Sequence, residues 1–148
     1  MRVVIQRALK ATVCVEGALV GTIDKGLLVF LAVHKEDTKA HADQLVQKLI
    51  HLRIFSDEKG KMNLSLLDTS LSALIVSQFT LYGNCQTGRR PDFFEAAPPQ
   101  MASELYLYFI EKMSSHVKNI STGVFGANMQ VSLINDGPVT FVIDSKLS

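Results

Sequence analysis

Ser77, Gln78 and Thr80 fall within four residues, directly after the apolar run Leu74-Ile75-Val76. Two hydroxyls and a carboxamide at that spacing can hold a ligand by hydrogen bonds or, given a base, supply an oxygen nucleophile. Residues 74–83 open as a buried strand and break at Gly83-Asn84. A strand end beside a cleft holds polar groups more firmly than a loop can. The plainer alternative is that Ser77 and Thr80 satisfy neighbouring backbone groups where a strand stops. No G-x-S-x-G elbow surrounds Ser77, and no base is obvious for Thr80. A nucleophilic triad stays open, since its members need only meet in space.

Other chemistry is sparsely provided. His34, His41, His51 and His116 lack the spacing of a metal site, and neither a dinucleotide fingerprint nor a P-loop is present, so no metal and no cofactor are expected. Cys14 and Cys85 lie far apart and read as free thiols of a reducing cytoplasm. Gly88-Arg89-Arg90-Pro91 is the densest basic spot, inside a polar stretch at residues 84–99. Unstructured stretches of that length are commonly functional, so Arg89 and Arg90 either meet phosphate or are solvated on a surface loop. Lys59 and Lys61 offer a further phosphate contact within a solvated charge run. The formal net charge is +1. Wrapping a nucleic-acid backbone takes a basic excess that this chain lacks, so any such contact would be to an end or small feature.

The elements that must position these groups form one domain, residues 1–148. Hydrophobic residues make up 47% of the chain, and no apolar run approaches the ~18 residues of a membrane span. The first residues carry no signal-peptide pattern. Residues 1–7 and 12–15 read as strands, with a turn at Glu16-Gly17-Ala18, and Gly21 and Gly26 punctuate two more. Thr38 is a candidate N-cap for a helix carrying Ala42, Leu45, Val46, Leu49, Ile50 and Leu52 on one stripe. A short strand at residues 53–56 and a turn at 57–61 lead towards the polar strand end. Pro98-Pro99 opens a second helix, with Met101, Leu105, Tyr108, Phe109, Lys112, Met113 and His116 at helical spacing. Strands return at residues 130–134 and 139–143, separated by the strongest turn signal in the chain, Asn135-Asp136-Gly137-Pro138. The class is α+β, mostly antiparallel sheet in a barrel-like core with two main helices outside.

Taken together, residues 1–7, Arg53-Ile54-Phe55-Ser56-Asp57 with Gly60-Lys61-Met62-Asn63, Ser77-Gln78-Phe79-Thr80-Leu81, and Asn135-Asp136-Gly137-Pro138-Val139-Thr140 resemble the D-aminoacyl-tRNA deacylase family, also called D-tyrosyl-tRNA deacylases. The likeness covers essentially the whole chain and keeps the order of the motifs. Asp92 stands where many relatives carry a serine. The intact Gly137-Pro138-Val139-Thr140 favours this family over its animal relative of altered chirality preference.

The resemblance implies a homodimeric, cytoplasmic hydrolase of the ester joining a D-amino acid to tRNA, active also on glycine misattached to alanine tRNA. Its partners would be the aminoacyl-tRNA acceptor end and a second copy, with no membrane and no DNA. By the same resemblance Gly137 and Pro138, joined by a cis bond, reach into the other subunit's pocket as a chirality gate, braced by Arg7. Ser77, Gln78, Phe79, Thr80 and Leu81 form the pocket with Phe125 and Met129. The 2′-hydroxyl of the terminal adenosine would assist, with the main-chain N–H groups of Phe79 and Thr80 as oxyanion donors. Two competitors remain: a module that holds an RNA end without cleaving it, and a serine or threonine hydrolase of small esters.

Overall fold

The computed structural model describes residues 1–145; the last three residues of the domain expected over 1–148 lie outside the described part. In chain order the elements are β1 (Arg2–Val15), β2 (Ala18–Ile23), β3 (Gly26–Ala32), α1 (Lys39–His51), β4 (Phe55–Ser56), β5 (Met62–Leu64), α2 (Leu66–Thr69), β6 (Ser72–Ser77), a 3-10 turn (Phe79–Tyr82), α3 (Pro99–Ser114), β7 (Ile120–Thr122) and β8 (Met129–Asp144). The expected α+β class is observed, with α1 and α3 as the two main helices.

β1 is the axis of the sheet. β2 and β3 run end to end along one side of it, pairing residues 11–15 and 2–8 respectively, and β8 runs antiparallel along the other. The break expected between residues 7 and 12 is therefore absent, and Gly21 lies inside β2 rather than bounding it. Glu16 and Gly17 do form the expected turn, both with positive φ, as a tight hairpin needs. Two neighbours depart from the antiparallel majority: β6 pairs parallel with β3, and β7 parallel with β6. Beyond β7 the sheet curls back on itself. Ser121 Oγ donates to Thr22 O at 2.9 Å, and Val124 N–H approaches Met129 Sδ at 3.4 Å, which nearly closes a barrel.

Burial on both faces explains the continuous apolar runs. Val3, Ile5, Leu27, Val29, Leu31 and Ile75 turn to the layer under α1 and α3. Their alternates, among them Val13, Leu28, Leu74 and Val76, fill the barrel interior. Helix α1 begins where Thr38 N–H donates to His41 Nδ1 at 3.0 Å, and buries Ala42, Leu45, Val46, Leu49 and Ile50 against the sheet. Helix α3 carries Pro99 in its first turn, where the missing N–H costs nothing, and buries Leu105, Tyr106, Phe109 and Met113. The stripe expected for α3 is thus real, although its Lys112 is only half-buried and His116 lies beyond the helix.

The turn expected at residues 135–138 is a correction. These residues lie within β8, which passes through them without reversing. Gln6 faces Thr140 and Ala8 faces Asn135, so Arg7 alone opposes residues 136–139. The segment is a wide bulge in one strand, and its turn-forming residues serve that bulge.

Candidate active site

Strand β6 enters the core as Ala73-Leu74-Ile75-Val76, all buried, and emerges half-buried at Ser77. The strand ends there, so Gln78 and Thr80 are not strand residues, as the sequence pattern had suggested. Gln78 N–H donates to Leu31 O at 2.8 Å, which anchors the exit to β3. The 3-10 turn follows, with Leu81 N–H donating to Gln78 O at 3.2 Å and Gly83 N–H to Thr80 O at 2.9 Å. The N–H groups of Phe79 and Thr80 open this turn, and a 3-10 turn offers its first amides no internal acceptor.

Arg2 holds the turn from β1. Its Nη1 donates to Leu81 O at 3.0 Å, its Nε donates to Asp144 Oδ1 at 2.7 Å, and its guanidinium lies 5.1 Å from the Tyr82 ring centre. The Asp144 hydrogen bond raises the Arg2 pKa further, so the clamp stays charged. Burial pushes the Tyr82 phenol well above its ordinary value, and His34 meets the same ring edge-on at 5.2 Å. None of this bracing was legible locally, because Arg2 and Tyr82 are 80 residues apart in sequence (82 − 2).

A cavity of about 570 Å³ opens where the turn leaves the sheet. Ser77, Gln78, Phe79, Phe125 and Met129 line it, five of the seven residues expected to form the pocket. Thr80 and Leu81 do not. Thr80 is exposed, and its hydroxyl is hydrogen-bonded to the Gln78 carboxamide; Leu81 contributes its carbonyl to Arg2. The sequence reading missed the opposite wall, built from Phe93, Ala96, Ala97, Ala102 and Asn128. Its signal was faint: a run of small residues after a polar loop. Ala97 N–H donates to Val33 O at 2.9 Å, which lays that run against β3. The Phe93 and Phe79 rings stand 5.0 Å apart across the rim.

The lining contains no titratable side chain, its polar members being Ser77, Gln78 and Asn128. A nucleophile–base pair at Thr80 is disfavoured, because a carboxamide cannot take its proton. Tyr106 braces the site from α3. Its O–H donates to Ile75 O at 3.1 Å, its ring stands 5.7 Å from Phe125, and burial pushes its phenol up to about 12.

Gly137 and Pro138 are joined by a cis peptide bond and lie on the bulge of β8, outside the lining of the cavity. Arg7 binds the residue that precedes them. Its Nε donates to Asp136 O at 2.9 Å and stands 3.2 Å from Asp136 Oδ2, while Nη1 donates to Ile54 O at 2.8 Å. The Arg7 side chain is only 11% exposed. Asn135 closes the bulge by donating to Arg7 O at 3.0 Å and Val139 O at 3.1 Å, a role the sequence did not reveal. Arg89 and Arg90 are exposed on the loop outside the rim, and Lys59 and Lys61 are exposed far along the chain at the β4–β5 turn.

Residues 4–144 match the family model described as D-Tyr-tRNA(Tyr) deacylase. The chain is 57% identical to a D-aminoacyl-tRNA deacylase of Thermosipho africanus, covering 99% of this chain and 98% of that one. It is 51% identical to a D-aminoacyl-tRNA deacylase of Bacillus cereus, covering 99% and 100%. Among solved structures, a c-Myc DNA unwinding element binding protein superposes with a TM-score of 0.94 at 39% identity, covering 99% of this chain and 100% of that chain. A probable eukaryotic D-amino acid tRNA deacylase gives 0.84 at 20% identity over 97% and 98%, a likeness of fold.

Proposed function

The chain belongs to the D-Tyr-tRNA(Tyr) deacylase family, and from that premise we propose how its cavity works. The protein is a D-aminoacyl-tRNA deacylase, a hydrolase of the ester between a D-amino acid and tRNA. The whole chain, residues 1–148, acts as one deacylase domain. The observation that carries the mechanism is a cavity lined by no titratable side chain, with Phe79, the first residue of the 3-10 turn, in its wall.

An aminoacyl ester is already activated, so positioning and oxyanion stabilisation can supply much of the acceleration. Water adds to the ester carbonyl, with the adenosine 2′-hydroxyl assisting. The N–H groups of Phe79 and Thr80 donate to the developing oxyanion. The bond to the ribose oxygen then breaks, that oxygen takes a proton, and the free D-amino acid and the tRNA leave. Ser77, Gln78, Phe125 and Met129 hold the terminal adenosine and the acyl group.

Chirality is read by a second copy. Gly137 and Pro138 do not line their own chain's cavity, so they act in trans on the partner's. β8 pairs only with β1 among the described residues, and leaves Ile134, Phe141 and Val142 exposed along it. An unpaired apolar strand edge suits a two-fold homodimer. The Gly137 carbonyl then presses against the α-carbon of the bound aminoacyl group. An L side chain clashes there, a D side chain points outward, and glycine has no side chain to reject, which accounts for action on glycine carried by alanine tRNA.

The site fits a tRNA end in a cytoplasmic enzyme, with DNA no part of its function: a net charge of +1 suits contact with few phosphates. No helix of the described residues is long and apolar enough to cross a membrane. The test is single-turnover hydrolysis of D-tyrosyl-tRNA beside L-tyrosyl-tRNA. Rapid loss of the D ester alone is expected. Cleavage of both would overturn the gate, and binding without cleavage would overturn the enzyme.

A further inference from the structure

The loop between the 3-10 turn and α3 carries features that the cavity does not use. Phe94 is 79% exposed, the most exposed large apolar side chain of the described residues. It follows Phe93 and comes two residues before Ala96, both in the cavity wall, so its backbone sits on the rim. The loop folds back on itself through the Asn84–Asp92 bridge, with N–H to O distances of 2.8 and 3.1 Å. That bridge fixes where residues 85–91, including Arg89 and Arg90, leave the body of the protein.

Charge in the loop is unevenly spent. Asp92 accepts from Asn84 Nδ2 at 3.1 Å and from Phe94 N–H at 3.4 Å. Glu95 binds Lys35 Nζ at 2.9 Å and His34 Nε2 at 2.7 Å, and the Lys35 hydrogen bond holds its carboxyl below the ordinary carboxylate range. Both carboxylates are thus engaged, whereas no ion pair reaches Arg89 or Arg90 among the described residues. The result is an exposed aromatic ring next in sequence to the cavity wall and, in the same loop, two exposed guanidinium groups that no ion pair engages among the described residues. Phe94 lies four positions after Arg90, a reach of at most ~14 Å. Base stacking on an aromatic ring with cations on the adjacent backbone is how unpaired nucleic-acid strands are held.

We propose that Phe94 stacks a base of the unpaired 3′ strand just before the terminal adenosine, while Arg89 and Arg90 contact its phosphates. The inference rests on the deacylase reading and adds a subsite outside the catalytic cavity. It makes the loop a positioning device: it delivers the ester to the cavity and touches none of the reacting atoms.

Two substrates separate the possibilities: D-tyrosyl-tRNA, and the minimal ester D-tyrosyl-adenosine, which ends before the proposed subsite. With the tRNA, Phe94→Ala is expected to lower kcat/KM about tenfold, chiefly through KM, and Phe94→Tyr to restore it. The double change Arg89→Ala with Arg90→Ala should flatten the dependence of log kcat/KM on log salt by about 1.4. On the minimal ester these variants should match the unaltered protein. Equal losses on both substrates, no loss on tRNA, or a changed oligomeric mass for Phe94→Ala would each overturn the subsite. If the unaltered protein cleaves neither ester, the deacylase reading fails on its own. Binding of uncharged tRNA then decides the subsite: weaker binding by the variants upholds it, and unchanged binding overturns it.

Discussion

The exit of β6 and the bulge of β8 are both short polar segments set into strands, yet they are built in opposite ways. The first emerges from four buried residues, is anchored to β3 through Gln78, and is clamped by Arg2 and backed by Tyr106. The second is held open by Arg7 and Asn135 through main-chain carbonyls. One forms a wall of its own cavity; the other projects from an exposed strand. Core packing suits a surface that must stay fixed within the chain. A hydrogen-bonded frame suits a segment whose target lies outside it. The two can therefore be broken separately.

The largest effect is expected at the bulge. A Cβ on Gly137 would lie 2.2 Å from Asn135 Oδ1 and 2.6 Å from Val139 N. The carboxamide could swing away only by losing its bonds to Arg7 and Val139, and the amide nitrogen belongs to the backbone. Gly137→Ala should cut single-turnover hydrolysis of D-tyrosyl-tRNA by about 100-fold, the scale of a misplacement near 1 Å, with an unchanged circular dichroism spectrum. Arg7→Ala comes next. It removes charged hydrogen bonds to two carbonyls, so we expect about tenfold slower hydrolysis and a loss of about 2 kcal/mol in urea unfolding. Loss of stability with full activity would detach Arg7 from the gate.

The same contrast explains what the sequence could disclose. Residues 27–32 and 73–76 were legible as strands because burial on both faces demands unbroken apolar runs. Helices α1 and α3 were legible because only one stripe of each is covered. Asn135-Asp136-Gly137-Pro138 was not, because a reversing turn and a bulge ask for the same residues. Only the pairing of Arg7 against residues 136–139 distinguishes them, and it joins positions almost 130 apart. The strand exit misled for a related reason. Ser77, Gln78 and Thr80 look alike in one dimension, but the turn leaves Ser77 and Gln78 on the cavity and carries Thr80 away from it. The facing wall at Phe93, Ala96 and Asn128 depends wholly on tertiary folding.

Tyr106 tests how much the wall depends on its buried support. Tyr106→Phe removes the bond to Ile75 O, which still accepts from Gly123 N–H at 3.0 Å, so the cost is that of one bond, about 1 kcal/mol. The pH dependence follows from the raised phenol, about 12 against an ordinary 10.0. Between those values the unfolded chain gives up its proton first, so stability is full below pH 10 and declines as pH rises towards 12. Thermal unfolding across that window should show the decline in the unaltered protein and a shallower one in the phenylalanine variant. Hydrolysis at neutral pH should fall only severalfold.

The smallest effect is expected at Thr80, and it discriminates most sharply between side-chain and main-chain chemistry. Thr80→Ala keeps the N–H that we assign to the oxyanion and removes only a hydroxyl already bonded to Gln78. The hydroxyl does not face the cavity, so its loss acts through the orientation of the Gln78 carboxamide. A neutral hydrogen bond of about 1 kcal/mol corresponds to a change of roughly fivefold or less in rate. Had Thr80 been a nucleophile, the same change would remove the bond-forming atom, and the rate would fall by several orders of magnitude. Single-turnover hydrolysis of D-tyrosyl-tRNA by this variant therefore places the chemistry either on the backbone and substrate or on the side chain.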